Sequence, residues 1–146
     1  MQLNFFKEDI EALPAIKTQA FQAWVSSFNK KQVKEINYIF SSDEYVLNVN
    51  RAYLNHDYYT DIITFLNSEV DEPIESDIFI SVERVCDNAE KFSFGNFADE
   101  IHRVMAHGVL HLMGFDDKTE EDKIEMRAQE VLALEFINGY VSRETD

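Results

Sequence analysis

The chain has 146 residues, a formal charge of −15 and 45% hydrophobic residues. That length fits one domain able to bury about two thirds of its unfolded surface, and so apolar a composition excludes a disordered chain. The acidic balance excludes a general basic nucleic-acid-binding surface, and no apolar run reaches the roughly 20 residues needed to span a bilayer.

Residues 1–6 alternate through Leu3 and Phe5 as a short first strand, and they lack the basic start and long apolar stretch of a signal peptide. Cys86 is the sole cysteine, which excludes an internal disulfide framework, fits a reducing cytoplasm and reads as a small core hydrophobe. Leu13, Ile16, Ala20, Ala23 and Trp24 recur at helical spacing, with Pro14 suited to a first turn, predicting a helix to about residue 29. Residues 33–40 read as a strand through Ile36, Tyr38 and Phe40. Lys30, Lys31 and Lys34 form the one basic cluster.

Ser42 is a candidate N-cap, followed by acids suited to a first helical turn. Val46, Val49, Ala52 and Tyr53 supply that helix with a buried stripe as far as Asn55. A loop through His56 leads to a β-branched run at 60–66, expected to be a central strand. Asp71-Glu72-Pro73 marks a turn, 77–82 another strand, and 83–92 a helix that Phe94-Gly95-Asn96 breaks. The apolar run at 98–113 predicts a further helix. Thr119 opens the last one, with Ile124, Val131, Leu134 and Ile137 expected to face inward. The expected fold is α/β (α+β): a single domain over 1–146, with about four strands in one mixed sheet and helices around it.

The chemistry concentrates in His107-Gly-Val-Leu-His111-Leu-Met-Gly-Phe-Asp-Asp117. On a helix, positions four apart differ by only about 40° in direction, so His107 and His111 project from one face. Gly114 suits the left-handed residue that ends a helix, letting the chain carry Asp116 and Asp117 back toward the rings. Two imidazoles and a returning carboxylate are three ligands for a transition metal, with a position left open, as in catalytic sites. The zinc-peptidase helix reads His-Glu-x-x-His, the Glu serving as general base. Here Gly108 follows the first His, which counts against a peptidase.

The same stretch resembles the signature His-Gly-x-Leu-His-Leu-x-Gly-Phe/Tyr-Asp-His of the YbeY-type metal-dependent endoribonucleases. The match runs from His107 to Asp116, and Asp117 stands where the family has its third His. Leu47-Asn48, Thr60-Asp61-Ile-Ile-Thr-Phe65 and Asp77-Ile78-Phe79-Ile80 extend it, with Ser76 in place of a family Gly. The resemblance implies one zinc-like ion per chain held by His107, His111 and Asp117, with Asp116 in a supporting or proton-handling role. It further implies RNA as substrate, in maturation of the 3′ end of small-subunit (16S) ribosomal RNA, with neither DNA nor a membrane as partner.

Two departures bear on mechanism. Leu54 occupies the position of a family arginine linked to catalysis, and Tyr59 that of a proline. Arg51, one turn before Leu54 on the predicted helix, is the candidate to supply the missing cation, with Arg103 or Lys34 next in line. Arg103 shares the face of His107, where overhanging the site and a solvated end or ion pair with Asp99 are equal expectations, whereas His102 points away from the site. Two other readings stay open: a different zinc hydrolase acting on peptides or amides, and a ribosome-assembly protein whose metal is structural.

Overall fold

The computed structural model describes residues 1–141. Nine elements follow in chain order: β1 (Gln2–Glu8), α1 (Thr18–Ser26), β2 (Val33–Ser41), α2 (Asp43–Leu54), β3 (Ile62–Leu66), β4 (Ile74–Ser81), α3 (Val82–Phe92), α4 (Phe97–Leu112) and α5 (Glu120–Gly139). The strands form one mixed sheet in the order β1-β2-β4-β3. β1, β2 and β4 run parallel, while β3 pairs with β4 antiparallel. This is the α/β arrangement expected, and among the described residues no helix is long and apolar enough to cross a membrane.

Strand alternation sorts the two faces of the sheet. Ile36, Tyr38, Phe40, Ile78 and Ile80 are fully buried on one face, where α1, α4 and α5 complete the main core. Ile63 lies on the other face and meets Val46 and Val49 of α2, with Phe65 and Phe79 closing a smaller core. Tyr38 packs its ring against Phe5 and Phe21. Its hydroxyl donates to the Met105 carbonyl at 2.9 Å, pinning α4 to the sheet.

Gly108 sets how close α4 can come. A Cβ there would lie 3.0 Å from Ile78 Cδ1, 3.1 Å from Ile62 Cδ1 and 3.3 Å from Thr64 Oγ1. The helix therefore rests on β3 and β4 at this point, and His107 and His111 emerge beside the outer strand.

β3 is an edge strand rather than a central one. The sequence misleads because Ile62 and Thr64 face α4 while Ile63 and Phe65 face α2, so the strand is covered on both faces although its outer backbone is unpaired. α1 begins at Thr18, not near Pro14. Its start is fixed by a distant contact, the Lys17 amide donating to His102 Nε2 at 3.0 Å. α2 is bounded as expected, with Ser42 Oγ accepting from the Tyr45 amide and Asn55 left-handed at the other end. Leu47 and Asn50 fill its inner face, whereas Ala52 and Tyr53 are exposed.

Cys86 is likewise exposed. On α5 the buried positions are Met126, Glu130, Ala133 and Ile137, while Ile124 is 70% exposed and Val131 is exposed too. The inward stripe carries a glutamate, which shifts its phase from the one the aliphatic residues alone suggest.

His102 is buried, and its Nδ1 faces the Ala98 carbonyl at 2.6 Å while Nε2 accepts from Lys17. Burial lowers its pKa below the ordinary imidazole value, only partly opposed by the bond to Ala98. The stability this ring contributes is complete above about pH 6.5 and declines as the pH falls from there through its lowered folded value. Urea unfolding at pH 7.5 and 5.5 should show this loss in the native chain. It should be smaller in His102→Gln, whose amide accepts the same bond without titrating; equal losses would exclude this role.

Candidate metal centre

α4 ends in a Schellman turn: the Gly114 amide donates to His111 O at 3.0 Å and the Phe115 amide to Leu110 O at 3.0 Å. Gly114 has φ 102°, which a residue with a side chain would resist. The reversal brings Asp117 back over the helix. Asp117 Oδ2 lies 3.5 Å from Nε2 of both His107 and His111, and the two Nε2 atoms are 3.0 Å apart.

This triangle fits a metal ion by the chemistry and spacing of its donors. A tetrahedral centre about 2.0–2.1 Å from each ligand has ligand–ligand edges of about 3.3 Å, close to the three sides found here. Among the described residues this is the one group of three such side chains whose ligand atoms converge.

His107 is oriented from behind. Its Nδ1 lies 2.7 Å from Oε2 of Glu130, which is 3% exposed on α5. Burial pushes the Glu130 carboxyl up, but the hydrogen bond from His107 and the charge of Arg103 outweigh it and hold it below the usual carboxylate range. Glu130 is therefore ionised at neutral pH and can only accept. The proton sits on His107 Nδ1, leaving the Nε2 lone pair directed at the shared point, the second-sphere arrangement common to metal-binding histidines.

Arg103 braces this carboxylate. It donates to Glu130 Oε1 at 3.1 Å and grips Glu100 with both Nε and Nη2, at 2.9 and 2.5 Å. Glu100 is fully buried and also accepts from Ser93 Oγ. These two charges raise the pKa of Arg103 further above its ordinary value, so it is a permanent cation.

The triangle opens onto a groove of about 620 Å³ between the end of α4, β3 and the loop after α2. Lys31, Leu54, His56, Tyr58 and Asp61 line it together with His107, His111 and Asp117. Asp61 also lines a smaller adjoining cavity with Arg103, His107 and Asp117.

Residues 3–138 match the profile of the family described as Endoribonuclease YbeY. An endoribonuclease YbeY of Cytophaga hutchinsonii is 51% identical over 133 residues, 89% of this chain and 92% of that one. The chain belongs to the YbeY endoribonuclease family. A Parabacteroides distasonis member is 44% identical over 140 residues, 94% of this chain and 96% of its own. A solution structure from Thermotoga maritima shares the fold, with a TM-score of 0.66 at 22% identity over 94% of this chain and 89% of that one.

Within this YbeY-family chain, the sequence-predicted His107, His111 and Asp117 come together, and Asp116 and Arg51 do not join them. Asp116 is exposed and, among the described residues, has no hydrogen-bond or ion-pair partner. Arg51 is exposed on α2 and pairs with Asp57. Lys34 pairs with Glu75 at the surface. Arg103 binds Glu100 and Glu130 rather than Asp99, whose carboxylate accepts from Asn138. Glu130, Glu100 and Lys31 had no assigned role in the sequence reading. For Glu130 a signal existed, because it shares the helical phase of Met126, Ala133 and Ile137.

The charge network generates a graded prediction. Arg103→Met leaves the buried Glu100 without a cation and Glu130 with only Arg127, 3.7 Å away, and should cost about 3–5 kcal/mol. Glu130→Gln keeps an acceptor for His107 and leaves Arg103 bound to Glu100, so it should cost less. Urea unfolding of both variants checks the order; an Arg103→Met protein as stable as the native one would refute the network's role.

Proposed function

We propose that this chain is a metal-dependent endoribonuclease that hydrolyses phosphodiesters of single-stranded RNA, with one zinc ion held by His107, His111 and Asp117. The carrying observation is a three-donor triangle with tetrahedral spacing that opens on a groove instead of being closed by a fourth side chain. Structural zinc sites are closed, and catalytic ones keep a free position. A donor set of two imidazoles and one carboxylate suits zinc among the common divalent ions. The family's described activity supports RNA as substrate. Within that reading we assign small-subunit ribosomal RNA as the target and the cytoplasm as the place of action.

A divalent cation in such a site supplies Lewis acidity, making water acidic near neutral pH and withdrawing charge from a phosphoryl oxygen. The residues around it prepare the rest. Glu130 holds the His107 proton on Nδ1 and fixes the ring. Asp61, rather than the outward-facing Asp116, is the carboxylate positioned to take a proton from the attacking water. It lines the groove beside His107 and Asp117, and its side chain has no hydrogen-bond partner among the described residues.

Lys31 takes the cation role that the sequence suggested for Arg51. Its Nζ donates to Leu112 O at 3.2 Å, one residue beyond His111, and an ammonium has two further protons to offer a phosphate. Arg51 instead holds Asp57 on the outside of the loop. The peptidase alternative loses support at Gly108, because the Ile62 and Ile78 methyls fill the space a glutamate there would need.

Charge couples the parts. Lys31 against Asp61 and Asp117 leaves the groove one negative charge in excess, and a divalent ion reverses that to one positive. Chelation should therefore weaken RNA binding as well as stop cleavage.

Elemental analysis of the purified protein should find about one zinc per chain. His111→Ala should lose both metal and cleavage of a defined single-stranded RNA. Full metal occupancy in that variant, or cleavage that survives it, would end the reading. Asp117→Asn should bind metal more weakly than Asp116→Asn, and Asp117→His should retain it. Lys31→Ala should keep its metal and lower cleavage about tenfold or more, the scale of losing one charge-stabilising group. Unchanged cleavage in Lys31→Ala would return the cation role to Arg51 or Arg103.

A further inference from the structure

The loop between α2 and β3 presents two aromatic rings to the groove, and nothing in the metal chemistry uses them. His56 and Tyr58 stack on one another with centroids 5.1 Å apart and planes 20° from parallel. The Tyr58 hydroxyl lies 3.0 Å from His56 Nδ1. Both rings are exposed, Tyr58 by 55%, so the pair offers π surface to the same groove that His107, His111 and Asp117 line.

The loop is held from its inner side. Asn50, buried on α2, accepts the His56 amide on its backbone carbonyl at 3.1 Å and donates its side-chain amide to the Tyr58 carbonyl at 3.0 Å. Asp57, between them in sequence, accepts from Arg51 instead. The aromatic pair is thus pre-positioned, and a ligand stacking on it has little loop ordering to supply.

We propose that the His56–Tyr58 pair is a stacking platform for one unpaired nucleobase of the strand bound in the groove, beside the scissile phosphate. This rests on the RNA reading above and deepens it. A chain of net charge −15 with a single lysine in the groove cannot draw much affinity from phosphate contacts. Stacking supplies it instead, tolerates any base, and is open only to bases outside a duplex. Single-strand preference follows directly. So does a shallow dependence of binding on salt, with a log–log slope near −0.7, the value for about one phosphate contact on a single strand.

The test uses metal-loaded protein and a fluorescently labelled phosphorothioate RNA strand, with binding read by anisotropy. Tyr58→Leu should weaken binding about tenfold, whereas Tyr58→Phe, which keeps the ring and loses only the hydroxyl, should bind as the native chain does. Strands carrying one abasic residue at successive positions add the coupling. At one position the missing base should weaken native binding by a similar factor and have no further effect on Tyr58→Leu. Metal content must stay at the native level in both variants, so that a lost ion is not read as lost stacking. Native-like binding by Tyr58→Leu, abasic effects that add at every position, or a steep salt slope would each overturn the platform. Cleavage of unmodified RNA is followed in parallel: its absence with base-coupled binding intact would sink the nuclease reading and leave the platform standing.

Discussion

The buried chain of charges from Ser93 through Glu100, Arg103 and Glu130 to His107 is the constraint on which the site depends. Two carboxylates that are 0% and 3% exposed would ordinarily be too costly to bury as ions. Arg103 lies between them and satisfies both, so the three members are stable only together. The network joins the turn after α3 to α4 and α5, and it ends on one nitrogen of one imidazole. A well-packed apolar substitute would in general be as stable or more so. What an apolar side chain cannot do is accept a hydrogen bond from His107 and set its tautomer. The polar interior is thus explained by the ring it orients rather than by the stability it adds.

A second constraint, steric rather than electrostatic, shapes the groove. Because position 108 has no side chain, α4 lies against β3 and β4, and the histidines one position before and three positions after face the open edge of the sheet. The same contact means that no carboxylate can follow His107 along this helix. The carboxylate proposed for proton handling is on the opposite wall: Asp61 stands at the entrance to β3, and its backbone carbonyl accepts from the Ser81 amide. In the proposed reaction helix and strand divide the work, the helix offering metal donors and the strand end a carboxylate.

What the sequence made legible is what local rules write. The spacing of His107 and His111, the glycine that ends α4 and the Ser42 cap each depend on neighbours within a few residues, and each appears where the pattern put it. The return of Asp117 was legible through the length of the turn. Hidden were the features made by distant partners. The start of α1 depends on His102, 85 residues away, and Glu130 meets His107 across 23. The phase of α5 was misread for the same reason: an inward glutamate looks like a surface residue until its cation is in view. Lys31 lay in the basic cluster, but only the packing of the loop before β2 against the end of α4 distinguishes it from Lys30 and Lys34.

The acidity of the chain, which first argued against nucleic acid, acquires a different meaning once the groove is described. Of the acids only Asp61 and Asp117 line it, and clusters such as those at 69–77 and 120–125 lie elsewhere on the chain, where they repel polyanions. Inside the groove the balance is close enough to neutral for a single divalent ion to change its sign. On the proposed binding mode, affinity that depends on one ion, one lysine and aromatic surface is weak for any strand that cannot bring an unpaired base to the loop and a phosphate to the metal together. That mode would suppress indiscriminate binding to structured RNA without a dedicated excluding element. The negative surface and the sparsely charged groove are two parts of one selectivity.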